Sequence, residues 1–421
     1  MTAEIERTVA VIGGGPSGMT AAIRASEAGA RVVLLERNEK LGKKLYITGK
    51  GRCNVTNTAD AERTQAYIMR GAAFMRSPLA AFDCRALREW LESLGVPTVE
   101  ERGGRVFPAS MKASDVTRAL SRELDRLGVD VWLNARVVSV DREADAIAGV
   151  TLSIGGRISC SAVIISTGGM SYPLTGSTGD GYVFAEALGH RVIPPRPVLT
   201  PLTSDERWVR VLQGLTLRNV TLAAQWRDKR FYEEQGELLF THFGLSGPLA
   251  LTLSSRVPDG AAWSDTRVSI DLKPGMTPEE VDARLVRELT ENPRRRLATL
   301  LTGWVPERLA HELPERCGVA PETMAARVTR GDRLRLAHTI KALPVGVGGT
   351  RGFDEAVVTR GGVDLKEVDP KTMASKLVRG LYFAGEVLDI DALTGGFNLQ
   401  AAFATGNQAG RAAARFSSAV R

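Results

Sequence analysis

Gly13, Gly15 and Gly18 stand in the spacing GxGxxG, and a carboxylate, Glu36, follows about 20 residues later. Glycines so placed let the backbone come close to a pyrophosphate, whose charge falls on the N–H groups of the helix that follows. Ser17 sits within that turn, and Glu36, with Arg37 next to it, suits the hydroxyls of a ribose. A tight turn with no ligand would not need Glu36, so a dinucleotide is the ligand this set predicts.

Leu41–Asn57, LGKKLYITGKGRCNVTN, is a second unusual loop. Gly42, Gly49 and Gly51 free its backbone, and Lys43, Lys44, Lys50 and Arg52 make it basic. Together with Thr48, Cys53 and Asn54 it is read as holding a phosphate or the electron-rich edge of a flavin, where a loop standing alone would be read as solvated. At the other end of the chain lies GLYFAGEVLDIDALTGGFNLQAAFATG, Gly380–Gly406. Gly385 and Glu386 form an AGE turn, and Gly395-Gly396 precede a helix beginning near Asn398 and Leu399. Such a helix would point its first N–H groups at flavin N1 and O2, where negative charge appears on reduction. An early pyrophosphate turn and a late flavin turn describe one FAD held from both ends.

Other motifs admit two readings. Thr167 and Gly168, in ISTGG after an apolar run, and GSTGDG at Gly176–Gly181 touch cofactor backbone or make tight turns. His242, in FTHFGLSGP, is the candidate general acid or base, although a lone histidine is more often structural. Cys53, Cys84, Cys160 and Cys317 are scattered without a CxxC pair, which predicts no disulfide, iron–sulfur or zinc site and leaves Cys53 to packing. Arg294-Arg295-Arg296 reads as a solvated helix face.

These residues require a βαβ start: strand Val9–Ile12, a helix rich in small residues, Gly29 to end it, and strand Arg31–Glu36. Leu87, Trp90, Leu91 and Leu94 share one helical face, as do Val116, Leu120, Leu124 and Leu127 behind a cap at Ser114. Val129–Leu133, Arg136–Val140, Ile147–Ile154 and Ile158–Ser166 read as short strands. Prolines 194, 195, 197 and 201 mark an exit from the first domain. The expected division is residues 1–192 and 346–421 for the FAD-binding domain, 193–276 with 331–345 for an inserted β-rich domain, and 277–330 for a helical subdomain opened by Thr277-Pro278-Glu279-Glu280.

The chain of 421 residues, 43% hydrophobic and 24% charged, has the composition of a globular protein. No apolar run approaches the roughly 20 residues that span a bilayer, and Val9–Ile12 runs straight into glycines, so a cytoplasmic protein without a membrane partner is expected. The net charge of +7 favours anionic ligands such as a dinucleotide; without an RNA- or DNA-binding motif it does not by itself predict nucleic acid.

With GGGPSG, GKKLYITGKGRCNVTN, TGSTGDG, FTHFGLSGP and VTRGGVDLKEVDPKTMASKLVRGLYFAGEVLDIDALTGGFNLQ, the chain resembles, over nearly its whole length, the BaiN/RdsA-type family of FAD-dependent oxidoreductases, the YhiN or HI-0933-like flavoproteins. The resemblance implies an α/β fold: a glutathione-reductase-like Rossmann FAD-binding domain with an inserted β-barrel domain and a small helical one. It implies that Gly13, Gly15, Ser17, Gly18 and Glu36 hold the AMP side, Lys44 and Thr48–Asn54 the pyrophosphate and flavin, Val137 the adenine, and Gly385, Glu386, Asn398 and Leu399 the ribitol and isoalloxazine. The activity expected is hydride transfer between flavin N5 and a small organic substrate held between the FAD domain and the barrel. Reduction of a conjugated C=C bond of a 3-oxo bile acid or steroid-like enone by NADH or NADPH comes first, although no second GxGxxG is present for a nicotinamide. An oxidase of an amine or aminoketone using O2 is the alternative, and a flavin-bearing RNA-associated protein is the reading from another class.

Overall fold

Val9, Ala10 and Val11 are completely buried, as an apolar run fed into a parallel sheet from both sides must be. The computed structural model describes residues 8–258 and 260–419, and the run forms strand β1, Thr8–Ile12. Helix α1, Pro16–Glu27, follows with proline at its first position, where a missing N–H costs nothing. Then come β2 (Arg31–Leu35), β3 (Asp130–Trp132), β4 (Ala162–Ile165) and β5 (Leu381–Phe383). These five strands make one parallel sheet in the order β5-β4-β1-β2-β3, so the last strand to enter comes from the C-terminal part of the chain. This is a Rossmann-type α/β arrangement.

The C-terminal helix α2, Phe397–Ala419, packs along α1. Added Cβ atoms at Gly406 and Gly410 would lie 2.3 Å from Ser17 O and 2.2 Å from Ala21 O. Two glycines four residues apart thus let the helices touch backbone to backbone, and this contact carries the closing segment to the glycine turn before α1.

The chain divides into two compact units, Met1–Val198 with Phe353–Arg421, and Leu199–Gly352. Strand Val192–Val198, expected to begin the insert, pairs instead with Val358–Val363 inside the first unit. Its register shifts between Ile193 and Arg196, where Pro194 and Pro195 cannot donate to a ladder. Ile158–Ser166 is not one strand: Arg157–Ser159 closes an antiparallel meander and β4 joins the parallel sheet. Ser114 is not a cap, because its helix begins one residue earlier, at Ala113.

The second unit holds a seven-stranded antiparallel sheet that runs from Leu343–Val345 through Thr266–Asp271, Thr216–Trp226, Lys229–Thr241, Gly244–Ser246 and Leu202–Thr203 to Gly349–Thr350. Among the described residues no ladder joins its two ends. Val281, Leu285 and Leu289 of helix Pro278–Glu291 share one core with Leu222, Ile270 and Leu343 of the sheet, so helices and sheet are one packed body. That helix starts with a complete capping box at Thr277 and Glu280. Arg294–Arg296 lie between helices, not on one. No helix among the described residues is long and apolar enough to cross a membrane.

One buried titratable group ties the first unit together. His190 Nε2 lies 2.8 Å from Ser375 Oγ, its Nδ1 lies 3.2 Å from Glu367 Oε2, and its ring meets Phe383 of β5 edge-on. Burial pushes its pKa below the ordinary value, against the pull of Glu367. The unfolded chain therefore binds this proton more readily than the native one. Stability is expected to be flat above about pH 6.5 and to fall as the pH drops below that value, and His190→Gln should remove this component in denaturant titrations at pH 7.5 and 5.5.

Candidate functional site

The glycine turn between β1 and α1 is held by contacts that only glycine permits. Gly13 has φ +104°, and a Cβ there would lie 2.6 Å from Ser166 O. A Cβ on Gly18 would lie 1.8 Å from Gly13 O, so the start of α1 folds directly onto the turn. Gly15 differs: an added Cβ meets nothing within 4 Å, so the turn opens outward at the residue before the helix N-terminus. That is the cradle a pyrophosphate requires.

Glu36 is buried at the end of β2. Gly14 N–H donates to Oε2 at 2.7 Å, while the backbone N–H and side-chain amide of Asn38 donate to Oε1 at 2.8 and 2.7 Å. The carboxylate thus fixes the glycine turn. Ala135 N–H donates to Glu36 O at 2.9 Å, which sets strand Val137–Glu143, with buried Val137 first, beside Glu36. Arg37 is directed at the GSTGDG turn, donating to Thr178 Oγ1 at 2.5 Å and lying 3.3 Å from Asp180 Oδ2.

The basic loop is less available to an anion than its composition suggests. Lys43 pairs with Glu39 at 3.2 Å, Lys44 with Glu386 at 2.7 Å and Arg52 with Glu101 at 2.7 Å. The Arg52 guanidinium also lies over the Phe107 ring, 4.3 Å from its centroid. Gly49, Lys50 and Gly51 are successive left-handed residues and Cys53 is another, so the loop folds back on itself, with Cys53 N–H bonded to Thr48 O at 3.0 Å. Cys53 is wholly buried and its thiol is pushed up to about 12, which makes it a packing residue and not a thiolate.

Glu386 is a junction of four segments. Its Oε1 accepts from Thr359 N–H at 2.7 Å and Ser171 Oγ–H at 2.9 Å, and its Oε2 accepts from Lys44 Nζ at 2.7 Å. Thr359 Oγ1 in turn accepts the N–H groups of Met170 and Ser171. Gly385, with φ +78°, presses against Ser17 of α1 and donates its N–H to Thr405 Oγ1 at 2.9 Å. Motif reading passed over Ser171, Thr359 and Thr405; only the spacing of Gly406 and Gly410 offered a legible signal of the helix contact.

Gly395 and Gly396 have φ +125° and +102°, and the first-turn N–H groups of α2 that follow have no intrahelical partners. Asn398 does not reach outward with its side chain. It accepts from Ala392 N–H at 2.9 Å and donates to Ala392 O at 2.7 Å, closing its own loop, while Leu399 packs in the first turn. Asn54 Oδ1 and Thr167 Oγ1 are buried without a hydrogen-bond partner among the described residues. Gly168, with φ +74°, turns the chain beside Ser177. An open glycine cradle, a helix N-terminus and orphaned buried polar atoms in the same unit fit a bound FAD. His242 belongs to the second unit, exposed at the turn after Lys229–Thr241, with its ring edge-on to Phe243.

Residues 7–412 match the family described as HI0933-like protein Rossmann domain. The chain is 34% identical over 409 residues to the 3-dehydro-bile acid delta(4,6)-reductase of Clostridium scindens, covering 96% of this chain and 98% of that protein. It is 33% identical over 401 residues to the ribosomal RNA dihydrouridine synthase of Haemophilus influenzae, covering 94% of this chain and 95% of the relative. Its fold is also that of the 3-ketosteroid delta1-dehydrogenase of Sterolibacterium denitrificans, with TM-score 0.51, 14% identity and coverage of 97% of this chain and 100% of the other. Family match and full-length relatives agree with the site: the chain belongs to the HI0933-like Rossmann family of FAD-dependent oxidoreductases.

Proposed function

We propose that the protein reduces a ring C=C bond conjugated to a carbonyl, with NADH or NADPH as the source of hydride. The observation that carries this reading is the chemistry shared by the full-length relatives. One is named for reducing delta(4,6) bonds of a 3-dehydro-bile acid and another for making dihydrouridine, and both names describe saturation of a ring bond in conjugation with a carbonyl. Bound FAD would supply the hydride carrier, from N5 to the electron-poor carbon.

The chain's own residues bind and orient. Gly13–Gly18 and the start of α1 receive the pyrophosphate, and Glu36 takes the ribose. The N-terminus of α2 offers N–H groups to the pyrimidine edge of the flavin, where they favour the charged reduced form. The Glu386 junction holds the segments around residues 44, 171, 359 and 386 in one arrangement. His242 is proposed to deliver the proton.

A second reading takes a uridine in RNA as the substrate. Exposed Arg294, Arg295, Arg296 and Arg327 favour it: they have no ion-pair partners among the described residues, and backbone bonds from Ala325 and Ala326 to Arg295 and Pro293 bring their segments together. That is the kind of surface a phosphate backbone selects.

One experiment separates these readings. The protein is reduced anaerobically with NADH or NADPH and then mixed with a 3-oxo-4,6-diene bile acid or a uridine-containing ribosomal RNA fragment. Loss of the oxidised flavin band and its return with the dienone is the expected result; His242→Gln should slow only the return. Return with RNA alone, lost at high salt and in Arg295→Glu, would move the substrate to nucleic acid. Failure of both nicotinamides to bleach the flavin, with peroxide formed from an amine substrate in air, would establish the oxidase instead.

A further inference from the structure

We infer that His190 is a proton-operated release for FAD: protonation of its ring breaks the turn at Ser375, and the strand that carries the Gly385–Glu386 turn loosens with it. The inference rests on the FAD reading and adds a means of regulation to it. Hydrogen-bond counting decides which ring nitrogen carries hydrogen. Ser375 Oγ accepts the backbone N–H groups of Leu377 and Val378 at 3.0 and 2.9 Å, which takes both of its lone pairs. Its own hydrogen then goes to His190 Nε2 at 2.8 Å. Nε2 is thus the bare nitrogen, and Nδ1 carries the hydrogen on the side of Glu367 Oε2, 3.2 Å away. A second proton would land on Nε2 and point at an oxygen with no lone pair left. The bond cannot reverse unless the Ser375 turn opens.

That turn sits where the closing segment is fastened. Ser375 N–H donates to Leu381 O at 2.8 Å and Phe383 N–H to Met373 O at 3.0 Å, so residues 373–375 line β5. The His190 ring stands edge-on to Phe383, with 4.9 Å between centroids. Just beyond Phe383, Gly385 presses on Ser17 in the first turn of α1. Among the described residues, Glu367 is the charged group that faces the ring. Arg191 sends its guanidinium to Asp364, Lys376 Nζ donates to Lys366 O, and helix Asp180–Ala187 meets His190 through Ala185 O, which accepts its backbone N–H. Bound FAD would hold the Gly385 turn in place, so the opening that admits a proton is easier without it. By reciprocity, FAD binding lowers the proton affinity of His190, and protonation of His190 weakens FAD binding. Burial acts in the same sense, since it already pushes the His190 pKa below its ordinary value.

The test measures FAD binding to apoprotein at pH 7.5 and 5.5 by fluorescence quenching, a window in which FAD itself has no titrating group. Wild type should bind about three- to tenfold more weakly at the lower pH, tenfold being the limit for one proton at the ordinary histidine pKa. His190→Gln should bind within about twofold at both. Ser375→Asp supplies a carboxylate that accepts the turn N–H groups and Nε2–H together, so its binding should be level as well. In proton NMR, the Cε1–H resonance missing from His190→Gln should titrate at lower pH in wild-type holoprotein than in apoprotein. Level binding by wild type, the full wild-type fall in either variant, or the same titration with and without FAD would each overturn the inference. A fall retained by His190→Gln would move the switch to Asp389, whose carboxyl burial pushes up. Absence of FAD binding at pH 7.5 would remove the FAD reading itself, a result distinct from level binding. Should His190→Gln not fold, wild type and Ser375→Asp still decide.

Discussion

Gly18→Ala is expected to destabilise the first unit by about 3 kcal/mol or more and to yield protein without bound FAD. The new Cβ would lie 1.8 Å from Gly13 O and 2.6 Å from Ser166 Oγ, and the first of these atoms is backbone. Neither partner yields cheaply, because Gly13 is itself pressed against Ser166 and Ser166 Oγ is bonded to Ile12 O at 2.9 Å. Alanine's better helix propensity returns only about 1 kcal/mol. Gly15→Ala is the counterpart. Gly15 has φ −77°, which alanine adopts freely, and its Cβ would meet no protein atom within 4 Å. Apoprotein stability should stay within about 0.5 kcal/mol of wild type, while FAD affinity falls at least tenfold as the methyl group enters the space of the pyrophosphate. Denaturant unfolding of both apoproteins, with FAD titrations alongside, checks the pair. A Gly15→Ala protein that binds FAD normally would show that the ligand does not sit against this turn.

The contrast between these two glycines also shows what the sequence makes legible. GxGxxG with Glu36 can be read because its constraint is local: a strand, a turn and a helix within a few residues, closed by one carboxylate whose bond to Gly14 spans 22 positions. Capping at Thr277 is local in the same way. The Glu386 junction could not be read, because its partners Lys44 and Ser171 lie 342 and 215 positions away and are brought in by the sheet order β5-β4-β1. Composition misleads where pairing decides. Val192–Val198 carries three prolines and looks like a linker, yet it is a strand in which Pro194 and Pro195 fall at an irregular register and Pro197 pairs with Thr359. The basic loop looks like an anion trap, yet carboxylates remote in sequence answer Lys44 and Arg52. Asn398 is expected at a flavin edge through the backbone N–H groups of its helix start, and the sequence does not show that its side chain closes its own loop on Ala392.

Glu386→Gln is expected to be nearly as damaging as Glu386→Ala, by about 2–3 kcal/mol, although it changes one atom. The groups facing the carboxylate are Thr359 N–H, Ser171 Oγ–H and the Lys44 ammonium. A glutamine can present its oxygen to Thr359 and Ser171 and set its NH2 against Lys44, or do the reverse and set it against Thr359 N–H. Either choice places donor against donor. The side chains of Lys44 and Glu386 are 22% and 20% exposed, so solvent relieves part of the penalty, which places it below that of a fully buried pair. The double substitution Lys44→Met with Glu386→Gln removes the clash, since the amide oxygen can keep Thr359 and Ser171 while its NH2 faces no cation. It should therefore be more stable than the sum of the single losses predicts, with a coupling of about 1–2 kcal/mol measurable by denaturant unfolding of the four proteins. FAD content should follow the same order, because Gly385 next to Glu386 lies against Ser17 at the pyrophosphate turn and shifts with it. Strict additivity would mean that Lys44 and Glu386 are held independently and that the four segments have no common junction.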